Sequence, residues 1–332
     1  MTGRRGRFRR PARVVDEIEA ALFLGFEEVC IDDDLFTRNR RHVEDICNEV
    51  KRRNLKLKLF IFARVDTVDA LLLQKLKEAG CVMILFGLES GNQEILDKAG
   101  KGTTLGKARQ AVRLCKEAGI SPFGSFILGL PGETPKTMAD TIAFARSLEI
   151  PYGFHLFSPF PGTKIRERAE DFGIQILTND WSLYDADHAV TETAALRATE
   201  VEDFVRSFLE KLGAGIAKLQ KETLSGAYQG PFREEMEKRL EVDFAWKLLS
   251  QDLVEEQGEI SEMLISNANG PGEPLRLLSE RIVKGTSGSP DFVANQLTRL
   301  SERGLLVCRK AQGSYRWRWS DISERMAKTD RS

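Results

Sequence analysis

The chain has 332 residues, 42% hydrophobic and 30% charged, with 49 basic and 50 acidic side chains. That composition suits a folded soluble protein of one large domain and one or two smaller ones, and the balanced charge gives no global pull toward nucleic acid. No apolar run reaches the length a bilayer demands, and the Arg-rich stretch 1–13 lacks the apolar segment of an export signal, so a cytoplasmic protein with reduced thiols is expected.

Residues 12–24 repeat apolar positions at helical spacing, and FEEVCIDDD (26–34) reads as a short strand ending in carboxylates. A charged amphipathic helix is expected over 38–53 and a strand over 55–64. Residues 66–80 read as a helix capped by Asp66 or Thr67 and stopped at Gly80. CVMILFGLESG (81–91) is apolar almost throughout, as a strand buried on both faces should be. Helical stretches at 92–98 and 104–118 follow, then a strand with its exit loop at 120–133. Thr134 caps the next helix, with Pro135 at its first position, where a missing N–H costs nothing. The strand and loop at 151–163 lead to a helix ending near 172. Strands between residues 26 and 158 thus alternate with helices, the pattern of parallel βα units. A parallel barrel, or part of one, carries its chemistry on the loops at its strand C-termini. Asp32–Asp34, Arg64, Glu89–Gly91, Gly129–Glu133 and Ser158 all fall there.

After residue 173 the alternation stops. Long helices are expected over 197–222 and 231–250, then helices over 260–267, 274–283 and 290–304, and two strands (305–310, 314–320) joined by AQG. Helices followed by a β-ribbon suggest a winged helix. The organisation read from sequence is a barrel part over 1–190, a helical connector over 191–255 and a winged-helix-like module over 256–332. Asn295, Gln296 and Arg299 are the only obvious base-reading side chains on the 290–304 helix, so nucleic acid through 290–320 is the weaker expectation beside a protein or peptide partner. Arg316 and Arg318 fall on the ribbon.

The five cysteines, Cys30, Cys47, Cys81, Cys115 and Cys308, show no close spacing of a zinc or cluster loop. Cys30 and Cys81 fall in strands expected to be buried, where a thiol behaves as a small hydrophobe. Two further patterns carry little. GAGIAK (213–218) imitates part of a dinucleotide fingerprint but lies within a helix, and DADH (185–188) reads as a polar surface loop rather than a metal site.

The segments RVVDEIE, IDDDLFT, ARVDTVD, LLQKLKEAGC, FGLESGNQEIL, GKGTT, FILGLPGET, FSPFPGT and DWSLYD stand in the order found in radical S-adenosylmethionine proteins. The chain resembles them from about Val14 to Asp185, and most resembles the group that often has a cobalamin-binding domain upstream. The resemblance implies a partial (β/α)6 TIM-like parallel barrel that binds S-adenosylmethionine. Asp33 or Asp34 would face the methionyl amino group, with helix capping as the open alternative. Arg64 would hold the methionyl carboxylate, or else pair with Asp66 or Asp69. Glu89 and Ser90 would meet ribose hydroxyls, with Gly91 permitting a tight exit turn. Gly129 and Gly132 would approach the adenine, with Ser125 where the family often has glycine and Ser158 on the last strand bordering the same ring.

The resemblance also implies a 4Fe-4S cluster held by three cysteines, spaced three and then two residues apart, after a first strand. The sequence given holds no such triplet, and its similarity starts just after that loop. The expectation is therefore a barrel lacking its first strand. The chain alone would not cleave S-adenosylmethionine, and it has no catalytic residue or metal ligand of its own. A separate polypeptide could supply the cluster loop, and full-length relatives would make a 5′-deoxyadenosyl radical for methylation or rearrangement of an unknown substrate, some with cobalamin. The alternative is a non-catalytic binding or regulatory protein acting through the winged helix. Unpaired strand edges imply weak stability or self-association for the isolated chain.

Overall fold

The computed structural model describes residues 7–33, 35–230, 233–265, 273–286 and 288–321. Asp34, one of the two aspartates expected to face the ligand, lies outside them. The first unit runs from Met1 to Phe208 and the second from Leu209 to Ser332.

In the first unit α1 (Pro11–Phe23), β1 (Glu28–Ile31), α2 (Arg40–Arg52), β2 (Lys58–Ala63), α3 (Ala70–Glu78), β3 (Cys81–Glu89), α4 (Gln93–Lys98), α5 (Leu105–Glu117), β4 (Ser121–Leu128), α6 (Pro135–Ser147) and β5 (Tyr152–Leu156) follow one another. Short polar side chains start the helices by accepting a first-turn N–H. Asn39 takes that of His42, Asp69 that of Leu72, Asn92 that of Ile95 and Thr104 that of Lys107. Thr134 and Thr137 form a reciprocal cap at the start of α6. The helix expected from Asp66 starts at Ala70, because Asp69 rather than Asp66 caps it and Asp66 is taken up by Arg64.

The five strands pair in sequence order, β1-β2-β3-β4-β5, all parallel. This is a five-stranded half-barrel of α/β type, in agreement with the expected partial barrel. Its convex face is sealed by the helices. Leu59, Ile61, Ile84, Phe86, Phe126 and Leu128 pack with Leu72, Leu73 and Leu76 of α3, Ala111 and Cys115 of α5, and Phe144 and Ala145 of α6. The alternate residues Phe60, Phe62, Met83, Leu85, Phe123 and Ile127 line the concave face and are only half-buried. Cys30 falls on that face too and is exposed, which corrects the buried position expected from sequence. The reason is that β1 pairs only with β2 among the described residues.

After β5 come α7 (Lys164–Glu167), a small antiparallel pair β6 (Ile174–Ile176) and β7 (Thr191–Thr193), and α8 (Ala198–Leu224), inside which the first unit ends.

The second unit holds the rest of α8, then α9 (Arg233–Ser250), α10 (Leu253–Gln257), β8 (Glu259–Ser261), α11 (Glu262–Ile265), α12 (Glu273–Gly285), α13 (Pro290–Glu302), β9 (Leu306–Ala311) and β10 (Ser314–Trp319). The helix expected over 260–267 opens instead as a strand. Ile260 is fully buried opposite Tyr315, and β8 joins β10 to make an antiparallel sheet of order β8-β10-β9. The core combines Phe244 and Leu248 of α9 with Val254, Leu278, Ile282, Val293, Leu297, Leu306 and Trp317. The Trp317 indole donates to the Pro274 carbonyl at 3.1 Å.

Candidate adenosyl-ligand site

Parallel pairing places the exits of β1, β3 and β4 along one edge of the sheet, so Asp33, Glu89 and the Gly129 turn share an edge. β1 and β3 are two strands apart, roughly 10 Å.

Glu89 ends β3 with φ of +63°, a left-handed backbone uncommon for a glutamate, where the β3–β4 register also slips. Its carboxylate pairs with Lys101, and both side chains are only 20% exposed. A Cβ on Gly87 would stand 2.9 Å from Glu89 Oε1 and 3.3 Å from Lys101 Nζ, so the ion pair lies across β3 where glycine leaves room. Arg64 grips Asp66 with two bonds of 2.9 Å and donates to the Lys101 carbonyl at 2.9 Å. The pairing with Asp66 is one of the two alternatives the sequence left open. It raises the Arg64 pKa and lowers that of Asp66.

Ser125 sits in register with Gly87 on one side and Gly153 on the other. This glycine–serine–glycine row forms a trough of small side chains across three strands of the concave face, covered at Gly87 by the Glu89–Lys101 pair and at Gly153 by the Phe123 ring. Beside it, Gly129 turns the chain with φ of +85°, and a Cβ there would stand 3.7 Å from that of Phe157. The Gly129 N–H donates to Glu133 Oε2 at 2.6 Å. Glu133 is fully buried, its Oε1 finds no partner among the described residues, and burial pushes its carboxyl up to about 7. The Ser158 hydroxyl, just beyond β5, is another buried polar atom without a partner among the described residues. Buried polar atoms left unpaired are costly, and two of them at one sheet edge fit a polar ligand that would satisfy them.

Three expected residues, Ser90, Gly91 and Asp33, turn elsewhere. Ser90 is fully buried, its hydroxyl 3.0 Å from Thr141 Oγ1 and accepting from the Asn92 N–H at 3.1 Å. The Gly91 N–H donates to the same Thr141 hydroxyl at 3.0 Å. Gly91 was expected to permit a tight turn, but its φ is not positive. Glycine is needed because a Cβ would lie 2.6 Å from Thr141 Cα and 2.5 Å from Phe144 Cβ. Asp33 is exposed and accepts from the Leu35 N–H at 3.1 Å in a local turn; it caps no helix, since the short helix at Phe36–Arg38 has no side-chain cap and α2 is capped by Asn39. It borders a separate cavity of about 700 Å³ against the free edge of β1, lined also by Val14, Ile18, Cys30, Phe36 and Arg38.

Lys101 was not singled out from sequence, and Glu133 only as the end of the polar Gly129–Glu133 segment, with no role of its own. Lys101 carried a faint signal, a lysine between two glycines in GKGTT. Glu133 carried another, an acid closing the same turn that Gly129 opens.

The described residues contain no group of three or more His, Cys, Asp or Glu side chains able to hold a metal ion. Cys47, Cys81 and Cys115 are buried, and burial pushes each thiol up to about 12, the opposite of what a thiolate ligand needs. The cysteines described here therefore do not fit an iron–sulfur cluster. No described helix is long and apolar enough to cross a membrane.

Residues 1–145 match the radical SAM superfamily. An uncharacterized methyltransferase of Pyrococcus horikoshii is 32% identical over 206 residues, covering 61% of this chain and 45% of that protein. An anaerobic magnesium-protoporphyrin IX monomethyl ester cyclase of Cereibacter sphaeroides is 33% identical over 207 residues, 60% of this chain and 33% of its own length. The chain thus spans less than half of these relatives. Among solved structures, the cobalamin-dependent S-adenosylmethionine radical enzyme OxsB, with aqua-cobalamin and S-adenosylmethionine bound, superposes with a TM-score of 0.51 at 15% identity, over 88% of this chain and 53% of that one. That likeness concerns the fold.

Proposed function

The chain belongs to the radical SAM superfamily, and from that premise we propose that its half-barrel binds S-adenosylmethionine at the C-terminal edge of the sheet, as part of an enzyme that methylates or rearranges its substrate. The observation that carries this reading is the meeting of the Glu89–Lys101 pair with the Gly87–Ser125–Gly153 trough and the Gly129–Glu133 turn. Glu89 accepts from ribose hydroxyls, and Lys101, released from Glu89, faces the methionyl carboxylate in a charge-assisted bond. Arg64 positions Lys101 through its carbonyl. The glycines put no side chain of their own in the row, so the adenosine would enter by displacing the Glu89–Lys101 pair over Gly87 and the Phe123 ring over Gly153, and Glu133 Oε1 and Ser158 Oγ offer further polar atoms. When bound, S-adenosylmethionine supplies a methyl group or, on reduction, an adenosyl radical.

Reduction needs a cluster whose thiolates we assign to sequence outside the described residues, on a partner polypeptide or elsewhere in a longer chain. The free edge of β1 and the cavity beside it suit an added strand there. Cobalamin is assigned to no residue of this chain. We read the second unit as a winged helix, supported by its order of helix α10, strand β8, helices α11 to α13 and ribbon. A protein or peptide partner suits it better than nucleic acid, because Gln296 and Arg299 are both held by Glu241. We place the chain in the cytoplasm, where the exposed Cys30 thiol would stay reduced.

Calorimetric titration with S-adenosylmethionine tests the site. Glu89→Ala should weaken binding about tenfold or more, in line with loss of a buried charged hydrogen bond, and Gly87→Val should abolish it. Wild-type affinity in both variants would remove the ligand from this edge. The 332-residue chain, reconstituted with iron and sulfide and reduced with dithionite, should form no 5′-deoxyadenosine.

A further inference from the structure

Past β5 the chain builds a surface that the adenosyl site does not use. The rings of Trp181 and Tyr184 lie 4.7 Å apart, and that of Phe160 lies 6.5 Å from Tyr184. Tyr184 is buried, but Trp181 is 52% exposed and Phe160 51%. The arrangement is held rigidly. The Arg166 guanidinium sits 4.6 Å from the Trp181 ring centre and 5.2 Å from that of Tyr184. It donates to the Tyr184 hydroxyl at 2.6 Å, to Asn179 Oδ1 at 2.9 Å and to the Pro159 carbonyl at 3.3 Å.

Every one of those partners is neutral. Of the neighbouring acids, Asp171 pairs with Arg168, Asp180 accepts from Ser182 and Asp185 pairs with His188, while exposed Glu167 and Glu170 form no ion pair with Arg166. Lys164, which opens α7, is exposed, and neither it nor Arg166 forms an ion pair among the described residues. A fixed cation beneath an open aromatic shelf attracts an anion and a flat ring together. The shelf also starts three residues beyond Phe157, which packs beside the Gly129 turn.

We propose that the Phe160–Trp181 shelf binds a flat aromatic ligand bearing a carboxylate, the ring stacked on Trp181 and the carboxylate drawn to Arg166 and Lys164. That this ligand is the group modified by the enzyme rests on the function proposed above; its binding does not.

Pyrene-1-carboxylate and uncharged pyrene-1-methanol, titrated by fluorescence anisotropy, test the proposal. The wild-type chain should prefer the acid about tenfold. Trp181→Ala should weaken both about tenfold. Lys164→Gln, which disturbs no packing, should reduce the preference for the acid, and Arg166→Gln should reduce it further. Equal binding of acid and alcohol by wild type, or unchanged binding by Trp181→Ala, overturns the proposal. S-adenosylmethionine titrated in parallel separates the two readings. If Trp181→Ala loses the pyrene acid and keeps S-adenosylmethionine, the shelf is a distinct site; if both are lost together, it is not. A wild-type chain that binds the pyrene acid but not S-adenosylmethionine leaves the shelf standing and removes the adenosyl assignment.

Discussion

The convex and concave faces of the half-barrel are made by the same strands, yet alternate residues give them opposite characters. Ile84 and Phe86 are fully buried under helices, while Leu85 between them and Gly87 next to Phe86 are only half-covered. The convex face carries the apolar burial that holds the fold together. The concave face carries half-buried Phe60, Phe62, Met83, Leu85, Phe123 and Ile127, with Gly87, Ser125, Gly153 and the Glu89–Lys101 ion pair among them, groups that no helix covers and that add less to stability. Fold and function are thus divided within single strands, residue by residue.

The sharpest way to break this comparison is to cut into each face in turn. Phe126→Ala on the convex face removes a fully buried ring and should cost about 3–5 kcal/mol in urea unfolding of the chain. A much smaller loss would mean that the convex face is not the stabilising one.

Next in size is Glu133. Its folded pKa, about 7, lies above the ordinary carboxylate value of 4.5, so between these pH values the folded state holds a proton that the unfolded state has released. Its contribution to stability is therefore complete below pH ~4.5 and lost as pH rises through ~7, on the order of 1–3 kcal/mol. Denaturant midpoints measured across that window should fall for wild type and stay flat for Glu133→Gln. Parallel slopes would show that the carboxyl is not buried as described.

Lys101→Met should lie within about 1 kcal/mol of wild type in stability, since a partly exposed ion pair contributes little, while S-adenosylmethionine affinity falls about tenfold. A large stability loss with normal affinity would move Lys101 from the ligand to the scaffold. The smallest effect is chemical. Exposed Cys30 should alkylate first in the folded chain and Cys308 more slowly, while buried Cys47, Cys81 and Cys115 should wait for unfolding, read by peptide mass. Desolvation and then Asp32 raise the Cys30 pKa, so its rate should climb well above neutral pH.

Much of the first unit was legible in sequence, because apolar runs such as Cys81–Leu88 and capping residues such as Asn92 and Thr134 act locally. Where expectation and structure part, a distant partner decides. Ile260 joins a strand because β10 lies beside it, over any local preference for helix. Gly91 is glycine because of α6, fifty residues on. Cys30 is open because strand β1 has a neighbour on one side only among the described residues. At the site, the strand-end positions were readable. The joining of Glu89 to Lys101 was not, since it depends on a loop folding back over β3.

The Thr141 hydroxyl has a wider consequence. It bonds to Ser90, receives the Gly91 N–H and donates to the Thr137 carbonyl at 3.1 Å, so one rotor clasps the segment leaving β3 to the helix that follows the Gly129 turn. The β3 exit and, through its helix, the Gly129 turn, the two loops proposed to hold an adenosine, are thus buckled together at a single hydroxyl. Loosening that buckle would slacken both grips at once.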